Sequence, residues 1–324
     1  TPRLSSAASD VYKRQAILTT VFGVTTSLGL GTVQISAGLN HVFEINENFI
    51  NQLMIIAFIT AIGLVSVSLG LDSGIKKLSQ INMVLAISLL LFIFILGPTI
   101  FIINALIQNF GAYLNTLIQS ATWTEVYNDT SWQNGWTLFY YAWWFAWAPF
   151  VSLFIARISY GRSIKEFIIG VLFVPSAIVF IWMGVFGNAA IYQVINETSQ
   201  ISEMVSSNLP VALFTLFDVY PIAQFLSILS LILIVTFFVT SSDSGALVAS
   251  MLSSKSQSNI NDDSPMLSRI TWAILLGVLA AVLLYAGGLT ALQTSVVITG
   301  VPFALIVVFA CKQFLKSLKE EIIN

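Results

Sequence analysis

Long apolar runs separated by short polar segments organise the chain from about residue 16 onward. By length and hydropathy they give eight spans, near residues 16–38, 50–70, 81–104, 135–157, 167–190, 222–250, 269–287 and 292–313. Each is close to the roughly 20 apolar residues that a helix needs to cross the hydrocarbon core of a bilayer. Helices satisfy their own backbone groups, as hydrocarbon requires of a crossing segment. Between the third and fourth runs lies "NFGAYLNTLIQSATW". Its apolar positions recur at helical spacing, yet it is too polar to cross. The segment at about 109–121 is therefore expected to be an amphipathic helix on the outer surface.

Composition fixes the class that the pattern suggests. Apolar residues make up 57% of the chain and charged residues 9%, against about 25% charged in a soluble domain. Such a chain cannot coat itself for water, so it reads as an all-α integral membrane protein in contact with the lipid bilayer. Lysine and arginine alternate across the loops. Lys76, Lys77, Arg157, Arg162, Lys165, Lys255, Arg269, Lys312, Lys316 and Lys319 mark one side. Glu44, Glu47, Glu125, Asp129, Glu197, Glu203 and Asp218 mark the other. The positive-inside rule then places both ends of the chain in the cytoplasm of a plasma (inner) membrane protein.

The opening "TPRLSSAASDVYKRQ" shares no texture with the rest. Residues 1–15 are expected to be foreign adaptor-like sequence, or else an ordinary disordered cytoplasmic leader. A short cytoplasmic tail is expected over 314–324. The single cysteine, Cys311, excludes an internal disulfide or a cysteine-based metal site. The single histidine, His41, reads as a solvated residue of an outer loop. No cofactor motif is present, and the scattered basic residues give no nucleic-acid-binding patch.

Three stretches carry candidate chemistry. In "FFVTSSDSGALVASML", Asp243 is a carboxylate at membrane depth, which is costly and points to function. The competing reading is a local cap or hydrogen bond to its neighbouring hydroxyls. Thr240, Ser241, Ser242 and Ser244 around it would suit an oxygen-lined pocket for a hard cation such as sodium. In "TTVFGVTTSLGLGTVQISAGL", Gly23, Gly29, Gly31 and Gly38 permit close helix approach. Thr19, Thr20, Thr25, Thr26 and Ser27 place hydroxyls in the bilayer, or simply bond back to their own helix. In "WTLFYYAWWFAWAPF", Phe139, Trp143 and Trp147 form one helical stripe. Trp136, Tyr140 and Trp144 form the next. Interfacial packing explains the outer aromatics. Trp143, Trp144 and Trp147 lie deeper, where indole faces could box a cation.

"WTLFYYAWWFAWAPFVSLFIARISYGRSIKEFIIGVLFVPS" resembles the signature segment of the betaine/choline/carnitine transporter family. "VFGVTTSLGLGTVQISAGL", "LSQINMVLAISLLLFIFILGPT", "FFVTSSDSG" and "YAGGLTALQTSVVITGVPFAL" extend the resemblance over essentially everything from residue 16. It implies a LeuT-like inverted-repeat transporter fold, shared with sodium-coupled amino-acid transporters. On that fold residues 16–134 are a partial first repeat of three transmembrane helices plus the outer amphipathic helix. Residues 135–313 are a complete second repeat of five. The first repeat would lack its first two helices, and with them half of the aromatic box.

The resemblance further implies a small quaternary-ammonium solute as substrate. Trp144 matches the central box tryptophan, Trp143 the one on the outer side and Trp147 the one on the inward path, with Tyr140 towards the entrance. Phe237, Thr240 and Ser241 match a sodium motif, Phe-x-x-Thr-Ser. A second ion position would use Thr20 and Phe150, but Val24 stands where the family has another threonine. Sodium is the implied coupling ion, and a homotrimer the implied assembly. Sodium-independent exchange, or another zwitterion such as proline or ectoine, remains the alternative. An intramembrane enzyme would need a second carboxylate or a Ser/His pair beside Asp243, and a channel a repeated filter. The chain shows neither.

Overall fold

The computed structural model describes residues 2–70, 76–127, 131–254 and 264–323. Lys255 and Asp129 of the charge alternation lie outside them. Among the described residues there is no strand. The helices are α1 (Pro2–Phe43), α2 (Phe49–Gly70), α3 (Lys76–Leu96), α4 (Thr99–Ala121), α5 (Phe139–Ile158), α6 (Ile164–Ile195), α7 (Ile201–Ser207), α8 (Ala212–Phe217), α9 (Ala223–Ser253) and α10 (Met266–Ile323). A π-helical turn, Gln133–Leu138, leads into α5. Eight of these helices are long and apolar enough to cross a membrane.

Two expectations change and one holds. First, α1 begins at Pro2, so residues 2–15, expected to be foreign adaptor-like sequence or else a disordered leader, are helical. The segment holds no glycine, and its one proline sits at the helix start, where the missing N–H costs nothing. Gln15 at its end already engages the fold: its amide donates to the Thr299 carbonyl at 3.2 Å.

Second, the third span stops at Leu96 rather than near 104, and the amphipathic helix begins at Thr99 rather than 109. Gly97–Pro98 breaks the run, because a proline disfavours helical geometry in the residue before it. The Thr99 hydroxyl closes the turn onto the Phe94 carbonyl at 2.8 Å. The result, α4, is a single helix whose first half is apolar, and it is itself long and apolar enough to cross.

Third, the last two spans are the two helical arms of α10, divided by non-helical backbone at Gly287 and Gly288, where the sequence divides them as well. Gly288 (φ 58°, ψ −140°) holds a conformation that only glycine adopts without strain. The first half packs on α2, where Gly277 meets Thr60. The second half packs on α1, where Leu292 meets Gly29. The eight apolar runs of the sequence are thus largely helical, and α4 is a further helix long and apolar enough to cross.

The most enclosed helix is α1, whereas α4 and α6 are buried least. Leu28 and Ile35 of α1 join Ile55 and Ile59 of α2, Phe214 of α8, Leu231 of α9 and Leu284 and Leu292 of α10 in one cluster. A second cluster joins Leu89 and Ile93 of α3, Val185 and Ala189 of α6, and Leu226 and Leu233 of α9. Lipid tails are as apolar as leucine, so apolar area alone does not draw such helices together. Close packing and small residues must do so.

The aromatic helix shows this most clearly. Ala142 and Ala146, fully buried, alternate with its tryptophans. Gly23 of α1 lies so close to Ala146 that an added Cβ would stand 3.1 Å from its carbonyl oxygen. Gly300 of α10 lies against the Ala142 carbonyl in the same way. Helix α5 is therefore seated between two glycines. A Gly300→Ala substitution drives a methyl into backbone, which cannot yield as a side chain can. Overpacking of this kind costs about 1–3 kcal/mol. We expect a lowered unfolding midpoint for detergent-purified Gly300→Ala. Gly63→Ala, which meets nothing within 4 Å, should leave the midpoint unchanged. Equal midpoints for the two variants would refute the close seat.

Candidate functional site

The two aromatic stripes of α5 have different environments. Phe139, Trp143 and Trp147 turn towards the bundle. Phe139 is buried and stacks on Trp143, with ring centroids 5.4 Å apart. The Trp143 indole N–H donates to the Ser27 hydroxyl at 3.1 Å. The Trp147 indole N–H donates to the Gly23 carbonyl at 3.2 Å, and its ring meets Phe150 edge-on at 5.4 Å. Ser27 in turn donates to that same Gly23 carbonyl at 3.1 Å. Two indoles are thereby fixed in depth and rotation by one turn of α1.

Trp136, Tyr140 and Trp144 turn outward. Trp136 stacks on Tyr140 at 5.5 Å, and Tyr140 meets Trp143 edge-on at 6.0 Å. Trp144 is 69% exposed. Tyr140, Trp143, Trp144 and Trp147 together line one cleft of about 210 Å³. The cleft is smaller than the roughly 300–1,000 Å³ typical of drug-sized ligands, which suits a small solute. None of its lining residues carries a charge. Any attraction for a cation must come from ring faces, which favour a quaternary ammonium that has no N–H to donate.

The hydroxyls of α1 divide three ways. Ser27 and Thr32 bond back to their own helix, Thr32 to the Leu28 carbonyl at 2.7 Å. Thr19 and Thr26 cross to α10, donating to the Thr299 carbonyl at 3.1 Å and the Leu292 carbonyl at 3.0 Å. Thr20 and Thr25 are buried with unpartnered hydroxyl oxygens. Val24, one turn from Thr20, packs against Gly245 of α9. Phe150 joins Val21, Val24, Ala246 and Val248 in an apolar cluster. Thr20 and Phe150 thus flank apolar contacts, and Val24 offers no oxygen.

On α9, Phe237 is half-exposed and its carbonyl accepts from the Thr240 hydroxyl at 2.9 Å. The side-chain amide of Asn82, on α3, donates to the Thr240 oxygen at 3.3 Å. Ser241 is partly buried. Asp243 is fully buried. Its carboxyl accepts from Ser66 of α2 at 2.5 Å and from Ser244 at 3.2 Å. Asp243 therefore bonds both to its own neighbour and across to another helix, which goes beyond a purely local cap.

Sequence reasoning missed Ser66 and Asn82. Both are single polar residues inside apolar helices, which was the available signal. It also misplaced His41, which lies in the last turn of α1 and pairs with Asp218 at 3.0 Å. Its ring lies 6.0 Å from that of Phe214. The aromatic cleft faces α1, while the Thr240 segment is fastened to α3 and α2. Among the described residues, no cluster of His, Cys, Asp or Glu could hold a metal.

Comparison with known proteins shows the family of the chain. The profile of the betaine/carnitine/choline transporter family matches residues 3–323. A glycine betaine transporter of Acinetobacter baylyi is 41% identical over 96% of the chain and 46% of its own length. A glycine betaine/proline/choline/ectoine transporter of Vibrio parahaemolyticus is 41% identical over 95% of the chain and 54% of its length. A high-affinity choline transport protein of Escherichia coli K12 is 38% identical over 94% and 45%. The chain spans about half the length of these curated relatives. The proteins of this family are transporters, not enzymes. With the match covering nearly the whole chain, it belongs to the betaine/carnitine/choline family of transporters.

Proposed function

We propose that the chain forms part of a secondary active transporter for a quaternary-ammonium compatible solute (glycine betaine, choline or carnitine), driven by sodium symport. The observation that carries the reading is the uncharged aromatic cleft of Tyr140, Trp143, Trp144 and Trp147. Two of its indoles are held by α1, so their faces are fixed before a solute arrives. Trp144 remains exposed and is the ring that meets the cationic head. Trp143 and Trp147 are the rungs above and below it along the path.

Sodium would bind at the Phe237 carbonyl with the Thr240 and Ser241 hydroxyls, since a hard cation takes oxygen ligands. The second ion position, at Thr20 and Phe150, is poor in oxygen because Val24 occupies the place of a threonine. One bound sodium therefore fits the residues better than two. Alternating access would rock helices of one repeat against the other around these sites. The assembly is read as a homotrimer in the plasma membrane, with both ends of this chain cytoplasmic.

A second reading widens the solute to other zwitterions. The Vibrio parahaemolyticus relative, 41% identical, is named for proline and ectoine as well as glycine betaine and choline. A cleft without a charged residue discriminates by size and by cation–π attraction alone, which is compatible with that breadth.

Uptake of labelled glycine betaine, choline and carnitine by the full-length protein in liposomes tests the proposal. An inward sodium gradient should stimulate uptake of at least one. If a well-folded protein takes up none of the three, the solute assignment fails. Equal uptake with sodium and with potassium would leave the solute standing and remove the symport.

Trp144→Leu removes one cation–π contact worth about 0.5–2 kcal/mol. At about 1.4 kcal/mol per tenfold, we expect the apparent affinity for a quaternary ammonium to fall roughly 2- to 30-fold. Trp136→Leu, outside the cleft, should change it little. Unchanged affinity in Trp144→Leu would exclude Trp144 from cation contact.

A further inference from the structure

Asn82 of α3 is 3% exposed. Its amide nitrogen donates to the Thr240 hydroxyl oxygen at 3.3 Å, while its carbonyl oxygen is buried with no partner. A buried amide oxygen left open is unusual, because such atoms are normally satisfied. Its position beside Thr240 gives it a purpose.

Thr240 has a single hydroxyl proton, and it lies on the Phe237 carbonyl at 2.9 Å. The two oxygens proposed to ligate sodium are therefore joined by that proton. A cation approaching both must displace it. The hydroxyl proton has to point away from positive charge and needs a new acceptor. The side chain of Asn82 already contacts the Thr240 oxygen, and it carries the free acceptor.

We propose that Asn82 is a positioning residue for the Thr240 cation site. When the cation binds, the Asn82 amide turns and its oxygen accepts the Thr240 hydroxyl proton. The Thr240 lone pairs and the Phe237 carbonyl are then both free for the ion. No bond other than hydrogen bonds breaks or forms. In the absence of ion the turn gives up two hydrogen bonds, Asn82 to Thr240 and Thr240 to Phe237, for one, so it is unfavourable until the cation takes the freed oxygens. This inference rests on the sodium reading above.

The test measures the sodium concentration for half-maximal uptake, and the solute KM at saturating sodium, in the full-length protein. Asn82→Leu keeps the side-chain size and removes the acceptor. We expect its half-maximal sodium concentration to rise about tenfold, with solute KM at saturating sodium unchanged. Asn82→Asp keeps an acceptor in the same place and adds negative charge, so its half-maximal sodium concentration should stay level or fall. A residue that merely packed would move both variants the same way and shift solute KM with them.

If wild-type uptake depends on sodium and Asn82→Leu leaves that dependence unmoved, the positioning role is wrong while the sodium reading stands. If Asn82→Leu does not fold, the decision rests on Asn82→Asp, and a rise in its sodium requirement overturns the role. If wild-type uptake ignores sodium, the symport reading falls and this inference falls with it.

Discussion

Hydrocarbon offers no hydrogen bonds, so a polar group inside a membrane helix is costly unless it finds a partner within the protein. That constraint organises this bundle around α1. Thr19 and Thr26 reach past their own helix to carbonyls of α10, and Ser27 receives an indole N–H from α5. Each cross-helix bond is worth on the order of 0.6 kcal/mol, too little to hold the fold alone. Their value lies in register: a hydroxyl and a carbonyl fix how far one helix has slid along another. The glycine–alanine contacts at Gly23 and Gly300 set the distance, and the polar bonds set the rotation.

The same constraint separates the aromatics of α5. An indole pointing into the bundle has an N–H to satisfy, and Trp143 and Trp147 satisfy theirs on α1. Trp144 points out and is largely exposed. A four-residue period places Trp143 and Trp147 on one stripe whether or not they bind anything. Of the three tryptophans of α5, only Trp144, one position round the helix, is largely exposed. The alanines at 142 and 146 allow this, because large residues there would push α5 away from both neighbours.

Much of this was legible in the sequence because periodicity and residue size are local properties. The helices, the two aromatic stripes and the glycines of α1 follow from spacing alone. Breaks were harder. Gly97–Pro98 interrupts a run whose hydropathy never falls, and a window average passes over it. Gly287–Gly288 was easier, because the break in α10 falls where the last two apolar runs part. The polar partners were harder still. Ser66 and Asn82 gain meaning only from residues more than 150 positions away, Asp243 and Thr240. The pairing of His41 with Asp218 is of the same kind.

One turn of α1 brings these strands together. Gly23 and Ser27 hold the indoles of Trp147 and Trp143. Between them Val24 packs into the space left by Gly245 of α9, two residues beyond Asp243. A shift of α1 along its axis cannot leave either contact unchanged: it moves the cleft walls on one side and presses on the polar run of α9 on the other. That run is anchored to α2 by Ser66 and to α3 by Asn82, so the pressure passes to the helices that flank Thr240. A packed interface of this kind transmits small displacements because it has no free volume in which to absorb them. Val24 is thus the packing contact between the turn of α1 that holds the indoles and the polar run of α9. A threonine there would be nearly the same size but would bring a hydroxyl into this apolar contact, whereas valine keeps it unbroken.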